Sequence, residues 1–434
     1  MKNITIYLLL ALACLGLQSC LFQEENYFDD SSANRATADV NRCGELLKGA
    51  PNGWVMEYYV GKDYSLGGIT LLCRFDGQRV TMASQMAEAD ETVSSLYSVK
   101  SEQATMLSFD TYNYLVHYFG QPQGSMSDDP NGTLGGDYEF IISSASAERI
   151  ELKGKKYGNR IVMKALSEDQ TWKQYLTKIK KVEDDAFFYE YDLLMDGLYT
   201  GQMLRSNYTF IVTYYDEIGK VHQKTVPFMF TADGMRFHEP VTIDGQTMQN
   251  FVWKNELISF VCTDEGATGV KLAGVYTAGY QSYDYYPGTY QMDFYRLNDE
   301  TGQLEVASQE VRLLKNEDGK SYWLKGLEYD ILVMYDKPRG GLSVSPQLLE
   351  KVQGGYVYLA MWDVMNDYVL RNKSIGLISY ATTNGIYLVD NGVWMGEVSG
   401  FIFGVYNSQE EDAAFIGYTD AVASIRLVKK TIEE

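Results

Sequence analysis

The residues of this 434-residue chain that could carry chemistry are three histidines, many carboxylates, three internal cysteines and a run of tyrosines. His117, His222 and His238 have no partner at metal-ligand spacing, and no His-Glu-x-x-His occurs. They are expected as surface or satisfied core residues, with no metal and no cofactor implied. There is no Gly-x-Ser-x-Gly elbow, and the run Gly132 to Gly136 lacks the lysine of a phosphate loop. Carboxylates are plentiful, so a glycosidase pair would leave no mark in the sequence. Ser127-Asp128-Asp129-Pro130-Asn131-Gly132 offers oxygen ligands for Ca²⁺. It lacks the alternate spacing and terminal glutamate of an EF-hand loop, so a solvated turn is expected. Cys43, Cys73 and Cys262 are odd in number and widely spaced, which fits neither a disulfide framework nor a metal site. Buried thiols are expected; one disulfide in an oxidising envelope is the alternative, with no pair selected by spacing. Tyr280, Tyr283, Tyr285 and Tyr286 are the candidate ligand-binding residues, because aromatic faces stack on sugar rings or peptide side chains while hydroxyls stay wet. The competing expectation is that they cover a barrel rim or pack between domains. Trp253, Trp323, Trp362 and Trp394 lie in strand patterns and are expected in the core.

The first twenty residues carry a different chemistry. Lys2 precedes an apolar run from Ile4 to Leu17, and Leu17-Gln18-Ser19-Cys20 follows. The run is short for a membrane span and fits the h-region of a signal peptide, residues 1–19. A cysteine behind a small residue at the cleavage point resembles the bacterial lipoprotein box, although Gln18 departs from the usual residue there. The resemblance implies that Cys20 is acylated after the leader is removed. Several acyl chains anchor firmly, each buried CH₂ contributing roughly 0.8 kcal/mol. Glu24, Glu25, Asp29 and Asp30 follow, similar to the surface-export signal of Bacteroidota lipoproteins. The expected address is the outer membrane, lipid-anchored, on the cell-surface side.

The formal net charge is −21, which argues against nucleic acid and against electrostatic binding to anionic lipid. Thirty-five tyrosines, eight prolines and thirty-nine glycines suit short strands joined by tight turns. The expected fold is mainly β: an antiparallel meander barrel, then a second β-rich half, with two short-to-medium helices. Residues 20–50 read as a tether and a short helix capped at Ser31 or Ser32, with Ala36, Val40, Cys43 and Leu47 at helical spacing. Residues 51–166 read as the barrel, including a strand from Tyr114 to Phe119 that contains His117. Residues 167–190 read as a linking amphipathic helix opened by a capping box at Ser167-Glu168-Asp169-Gln170. Its apolar face is Trp172, Leu176, Ile179, Val182 and Ala186. Residues 191–434 read as one further domain, or as two divided near 266–288. Ser345-Pro346 is expected to start a helical turn.

The order of motifs is informative as a set. Pro51-Asn52-Gly53-Trp54 leads to Leu107-Ser108-Phe109-Asp110-Thr111-Tyr112-Asn113, then to Gly136-Asp137-Tyr138-Glu139-Phe140 and Glu151-Leu152-Lys153-Gly154-Lys155-Lys156. Phe230-Thr231-Ala232-Asp233-Gly234-Met235-Arg236-Phe237 recurs in the same style. This resembles a family of Bacteroidota surface lipoproteins with a domain of unknown function, often encoded beside outer-membrane import systems for glycans or peptides. The first half is also similar to lipocalin-like barrels, in which a Gly-Trp near the first strand plugs one end. The resemblance implies a ligand-binding or accessory subunit of such an import system, with a transporter partner and a glycan or peptide ligand. A glycan-directed hydrolase using paired carboxylates and a purely structural component of a surface complex are the alternatives. The absence of a catalytic signature favours a non-enzymatic role.

Overall fold

The computed structural model describes residues 31–122, 132–216, 218–298, 300–410 and 412–430. Cys20, its acidic tether and positions 127–131 of the expected solvated turn lie outside the described residues. Among the described residues are twenty-eight strands and three α-helices, a mainly antiparallel β architecture as the composition predicts.

The first eight strands form a closed meander barrel. They are β1 (Trp54–Val60), β2 (Gly67–Asp76), β3 (Arg79–Ser84) and β4 (Val93–Ser101), then β5 (Thr105–Phe109), β6 (Glu139–Ala145), β7 (Arg149–Gly154) and β8 (Arg160–Ala165). β8 closes on β1, with Trp54 opposite Ala165 and Tyr58 opposite Ile161. Trp54, Met56 and Tyr58 alternate inward and share one buried cluster with Leu71, Phe109 and Phe140. Side chains therefore pack the barrel interior, as small barrels permit. Helix α1 (Ser32–Lys48) begins at Ser31, whose Oγ accepts from the Asn34 amide at 3.2 Å. Its end joins the same core: Leu47 is buried there, and Trp54 Nε1 donates to the Leu47 carbonyl at 2.8 Å.

His117 is not in a strand. Tyr114–His117 is a single helical turn, α2, capped by Asn113 Oδ1, which accepts from the Leu115 amide at 3.1 Å. Leu115, Val116 and Phe119 are buried. A helical turn delivers the three to the core and lets the Asn113 side chain compete for the backbone, which a strand would not. The linking helix is shorter than the sequence suggests. Helix α3 runs over Trp172–Asp185, and the reciprocal cap falls at Thr171 and Gln174 rather than at Ser167. Asn52 explains the delay: its Nδ2 donates to the carbonyls of Ser167 and Gln170 at 2.7 and 2.8 Å, holding that stretch as a turn. Leu176, Ile179, Val182 and Ala186 are buried as their spacing predicts. Leu176 packs with Val55, Leu72 and Ala83, residues that point out of the barrel. This covering buries Val55 on the outward face of β1.

The second closed barrel contains β9 (Glu190–Met195), β10 (Leu198–Ser206), β11 (Thr209–Tyr215) and β12 (Val221–Phe230). It continues through β13 (Gly234–Ile243), β14 (Gln246–Lys254), β15 (Ser259–Cys262) and β16 (Val270–Val275), in the order β10 to β16 and then β9. β16 falls inside 266–288, where the sequence suggested only a divider. Buried Tyr191, Phe210, Phe228, Phe230 and Phe237 belong to these strands.

The remaining strands form one sheet. They are β17 (Gly288–Leu297), β18 (Leu304–Lys315), β19 (Ser321–Lys325), β20 (Ile331–Asp336), β21 (Gly341–Val344) and β22 (Gln347–Val352). β23 (Gly355–Asp363), β24 (Tyr368–Leu370), β25 (Leu377–Thr382), β26 (Gly385–Asp390), β27 (Gly400–Tyr406) and β28 (Phe415–Lys429) complete it. β17 also pairs with β28, so β17 to β21, β25, β26 and β28 close an eight-stranded ring. β28 pairs with β27 along its first part and with β17 along its last. Ser424, at φ +53°, lies between the last residue paired with β27 and the first paired with β26. Ser345-Pro346 starts no helix; β22 follows at once. Gln347 pairs both ways with the Leu332 backbone, Oε1 accepting at 2.8 Å and Nε2 donating at 2.9 Å, which keeps the segment extended.

Two compact units emerge from chain contacts. One comprises the described residues up to Asp185 with Ser206–Asn255 and Phe260–Val270; the other comprises Ala186–Arg205, Glu256–Ser259 and the chain from Lys271 on.

Candidate functional site

The tyrosine segment belongs to the second unit, and the hydroxyls of Tyr283, Tyr286 and Tyr290 are committed to backbone. Tyr286 is buried in the ring's core, and its hydroxyl donates to the Gly340 carbonyl at 2.9 Å. Tyr290, also buried, donates to the Tyr286 carbonyl at 2.6 Å. Tyr283 stacks on Tyr322 with ring centroids 4.7 Å apart and donates to the Ser321 carbonyl at 2.9 Å. Tyr322 returns a bond to the Tyr283 carbonyl at 2.6 Å, and Tyr335 reaches the Gln281 carbonyl at 2.8 Å and the Tyr280 hydroxyl at 3.1 Å. Gly340, at φ +62°, lets the β20–β21 turn approach: a Cβ there would sit 2.5 Å from the Tyr280 ring. The segment thus plugs the ring as α1 and Trp54 plug the first barrel. Tyr286 is a packing residue, because burial and a backbone bond leave its face and its hydroxyl nothing to offer a ligand. Tyr285 is 39% exposed and Tyr276 46% exposed. Tyr280 stacks on Phe187, with Lys337 5.1 Å above the Phe187 ring. The outward aromatic face is therefore Tyr276, Tyr280 and Tyr285. Trp253 and Trp362 are buried as expected, whereas Trp323 is exposed because it faces outward on β19.

A second site lies wholly within the first unit, where an open cleft of about 290 Å³ is lined from β1, β7, β8, β13 and β14. At its floor is Glu57, the one charged residue of β1, 8% exposed. Its carboxylate accepts from Lys164 Nζ at 2.8 Å and from Arg236. A buried carboxylate demands such partners. Gly67, at φ +72°, permits the close approach of β2 to Tyr208, since a Cβ would lie 2.1 Å from the Tyr208 carbonyl oxygen. β13 bulges between Arg236 and Val241, which re-aims His238 and Glu239 into the cleft wall. The His238 ring lies against Tyr59 and Tyr64, with centroids 4.3 and 4.0 Å away. Burial holds its pKa below the ordinary histidine value, with Glu239 opposing that shift and Arg160 and Arg236 reinforcing it. Arg149 and Arg160, on the rim, share Glu151 at 2.9 and 3.5 Å.

The other sequence candidates have structural roles. His117 stacks on Tyr138, and His222 bonds Asp216 at 2.9 Å. Cys43, Cys73 and Cys262 are free and buried, and burial pushes the Cys262 thiol up to about 11. Among the described residues no group of three His, Cys, Asp or Glu could hold a metal ion. Asp137 of Gly136-Asp137-Tyr138 ties a turn: its carboxylate accepts the Lys156 and Tyr157 amides at 2.7 and 3.1 Å. Tyr58 seals the other side, donating to the Asp137 carbonyl and accepting from its amide.

Sequence reasoning missed Glu57, Arg236 and Lys164 as a set, because they are far apart in the chain. One signal was present: a single charge inside the otherwise uncharged run Trp54-Val55-Met56-Glu57-Tyr58-Tyr59-Val60.

The model of a domain of unknown function, DUF4302, matches residues 24–255, and a second, DUF4987, matches residues 263–403. No curated protein matches the chain. Among solved structures, a protein of unknown function from the DUF3598 family of Nostoc punctiforme is 8% identical. That match covers 56% of this chain and 98% of that one, with a TM-score of 0.14. Intact Ap-TbpB, with N and C lobes, is 11% identical over 87% of this chain and 76% of its own, with a TM-score of 0.15.

Proposed function

This chain belongs to the DUF4302 family, and from that premise we propose that it is a lipid-anchored, non-enzymatic binding or accessory protein of a bacterial outer surface. Cys20 holds the acyl chains, and the folded body presents surface clefts and loops to a glycan or peptide and to an outer-membrane importer of the Bacteroidota type. The observation that carries this reading is Lys2, the apolar run to Leu17 and Cys20, set ahead of a body of closed sheets. Filled interiors support surface binding: rigid strands fix the position of rim residues, and loops on such a scaffold carry recognition.

Two experiments test the proposal. Wild-type protein is expected in the outer-membrane fraction and Cys20→Ala protein outside it; equal membrane retention of the variant overturns the anchor. Purified protein is then screened against glycans and peptides. Saturable binding without turnover supports the binding role. Turnover of any member replaces it with the hydrolase reading, and co-purification of a transporter with no ligand bound replaces it with a structural role.

A further inference from the structure

We propose that the cleft over Glu57 binds a carboxylate group of an acidic ligand. The inference rests on the binding role above and adds the class of ligand and the place. Four cations line the cleft, Arg149, Arg160, Lys164 and Arg236, in a chain whose net charge is −21. Concentrating cations in one concavity of an acidic protein focuses a local field that favours anions. The cations are not consumed within the fold. Glu57 serves both Lys164 and Arg236, and Glu151 serves both Arg149 and Arg160. Two carboxylates thus divide four cations, and with Glu239 on the cleft wall three negative charges stand against four positive ones. Arg160 gives Glu151 a single contact at 3.5 Å while its side chain is 56% exposed. A guanidinium has five N–H donors in a planar fork that fits a carboxylate with two parallel bonds.

A second observation points to a ligand. The His238 side chain is nine-tenths buried in the cleft wall, and the nearest carboxylate, that of exposed Glu239, is 3.8 Å from its Nε2, beyond hydrogen-bond distance. The imidazole lines the open cleft, where a bound group can reach its edge as a hydrogen-bond partner. The imidazole is wedged between Tyr59 and Tyr64, so its position is fixed. Arg160 supplies the charge, His238 a directed hydrogen bond, and the Glu57 floor keeps Arg236 and Lys164 in place. A uronic acid of a glycan and the C-terminal carboxylate of a peptide share this chemistry.

The test is calorimetric titration of the whole mature protein with D-glucuronate, with acetyl-Ala-Ala, and with their neutral counterparts, glucose and the dipeptide amide. At least one acid is expected to bind saturably and its neutral counterpart not. Which acid binds identifies the source. Arg160→Gln and His238→Gln are expected to weaken binding about tenfold or more. Arg160 is exposed, so its variant retains the fold. The proposal is overturned if neither acid binds, if neutral counterparts bind equally, or if Arg160→Gln binds as wild type does. Failure here with a neutral glycan bound elsewhere overturns the cleft alone. Failure with no ligand of any class bound overturns the binding role itself.

Discussion

Replacing Tyr286 and Tyr285 separately distinguishes a plug from a recognition surface. Tyr286 is 1% exposed and donates to the Gly340 carbonyl, which also accepts the Gln281 amide at 3.1 Å. Tyr286→Phe therefore removes one of two bonds to that oxygen and keeps the ring. The expected cost is at the low end for a buried hydrogen bond, about 1 kcal/mol. Tyr286→Ala also empties an aromatic site in the core, with an expected cost of about 3–5 kcal/mol. Tyr285 is 39% exposed; it meets Tyr286 edge-on at 5.2 Å and carries Lys429 5.3 Å over its ring. Losing those contacts costs about 0.5–1 kcal/mol. In a unit of this size about 1 kcal/mol moves the melting midpoint about 2–4 °C. Thermal melts followed by near-UV circular dichroism should fall by about 2–4 °C for Tyr286→Phe, about 6–20 °C for Tyr286→Ala and less than about 4 °C for Tyr285→Ala. A Tyr285→Ala protein less stable than the Tyr286→Ala protein would refute the plug.

Glu57→Gln should destabilise the first unit by about 2–3 kcal/mol in urea titrations. This is below the usual cost of breaking a buried pair, because Lys164 is part-exposed and is solvated when released. An unchanged urea midpoint would show that the floor does not need its charge. His238 gives a pH signature. Its folded pKa is depressed by burial, so the unfolded chain binds the proton more readily. The associated stability is fully present above the unfolded value of about 6.5 and is lost as pH falls through the folded value. Urea midpoints measured from about pH 8 to about pH 5 should decline less for His238→Gln than for wild type; parallel curves would contradict the buried, neutral imidazole.

The first barrel was legible because strands of alternating Trp, Met and Tyr between short turns leave a period-two signal that tertiary contacts reinforce, whereas the second half read only as β-rich and its closed barrel was not foreseen. β1 kept its identity even though both faces are buried, since a run of seven with one charge, bounded by Gly53 and Gly61, is too short for most helices. Local hydrogen bonding was less legible. Asn113 turned an alternating stretch into a helical turn, and Asn52, more than a hundred residues away, delayed α3 by holding Ser167 and Gln170. The ring closed by β17 and β28 depends on strands separated by the whole C-terminal sheet, and no local pattern records such a pairing. The tyrosine segment was found for its composition, but which rings face outward depends on the carbonyls of Gly340, in the β20–β21 turn, and Ser321, at the start of β19. The cleft was missed for the same reason: Glu57 and Arg236 come from two different barrels, and each alone looks like an ordinary strand charge.

The most direct measurement is the intact mass of the protein extracted from membranes, with fragmentation of its first peptide. The expected chain begins at Cys20, has lost residues 1–19 and carries fatty acyl groups on that cysteine. A chain that retains its leader, or that begins with an unmodified Cys20, would contradict a lipid-anchored binding protein at its foundation.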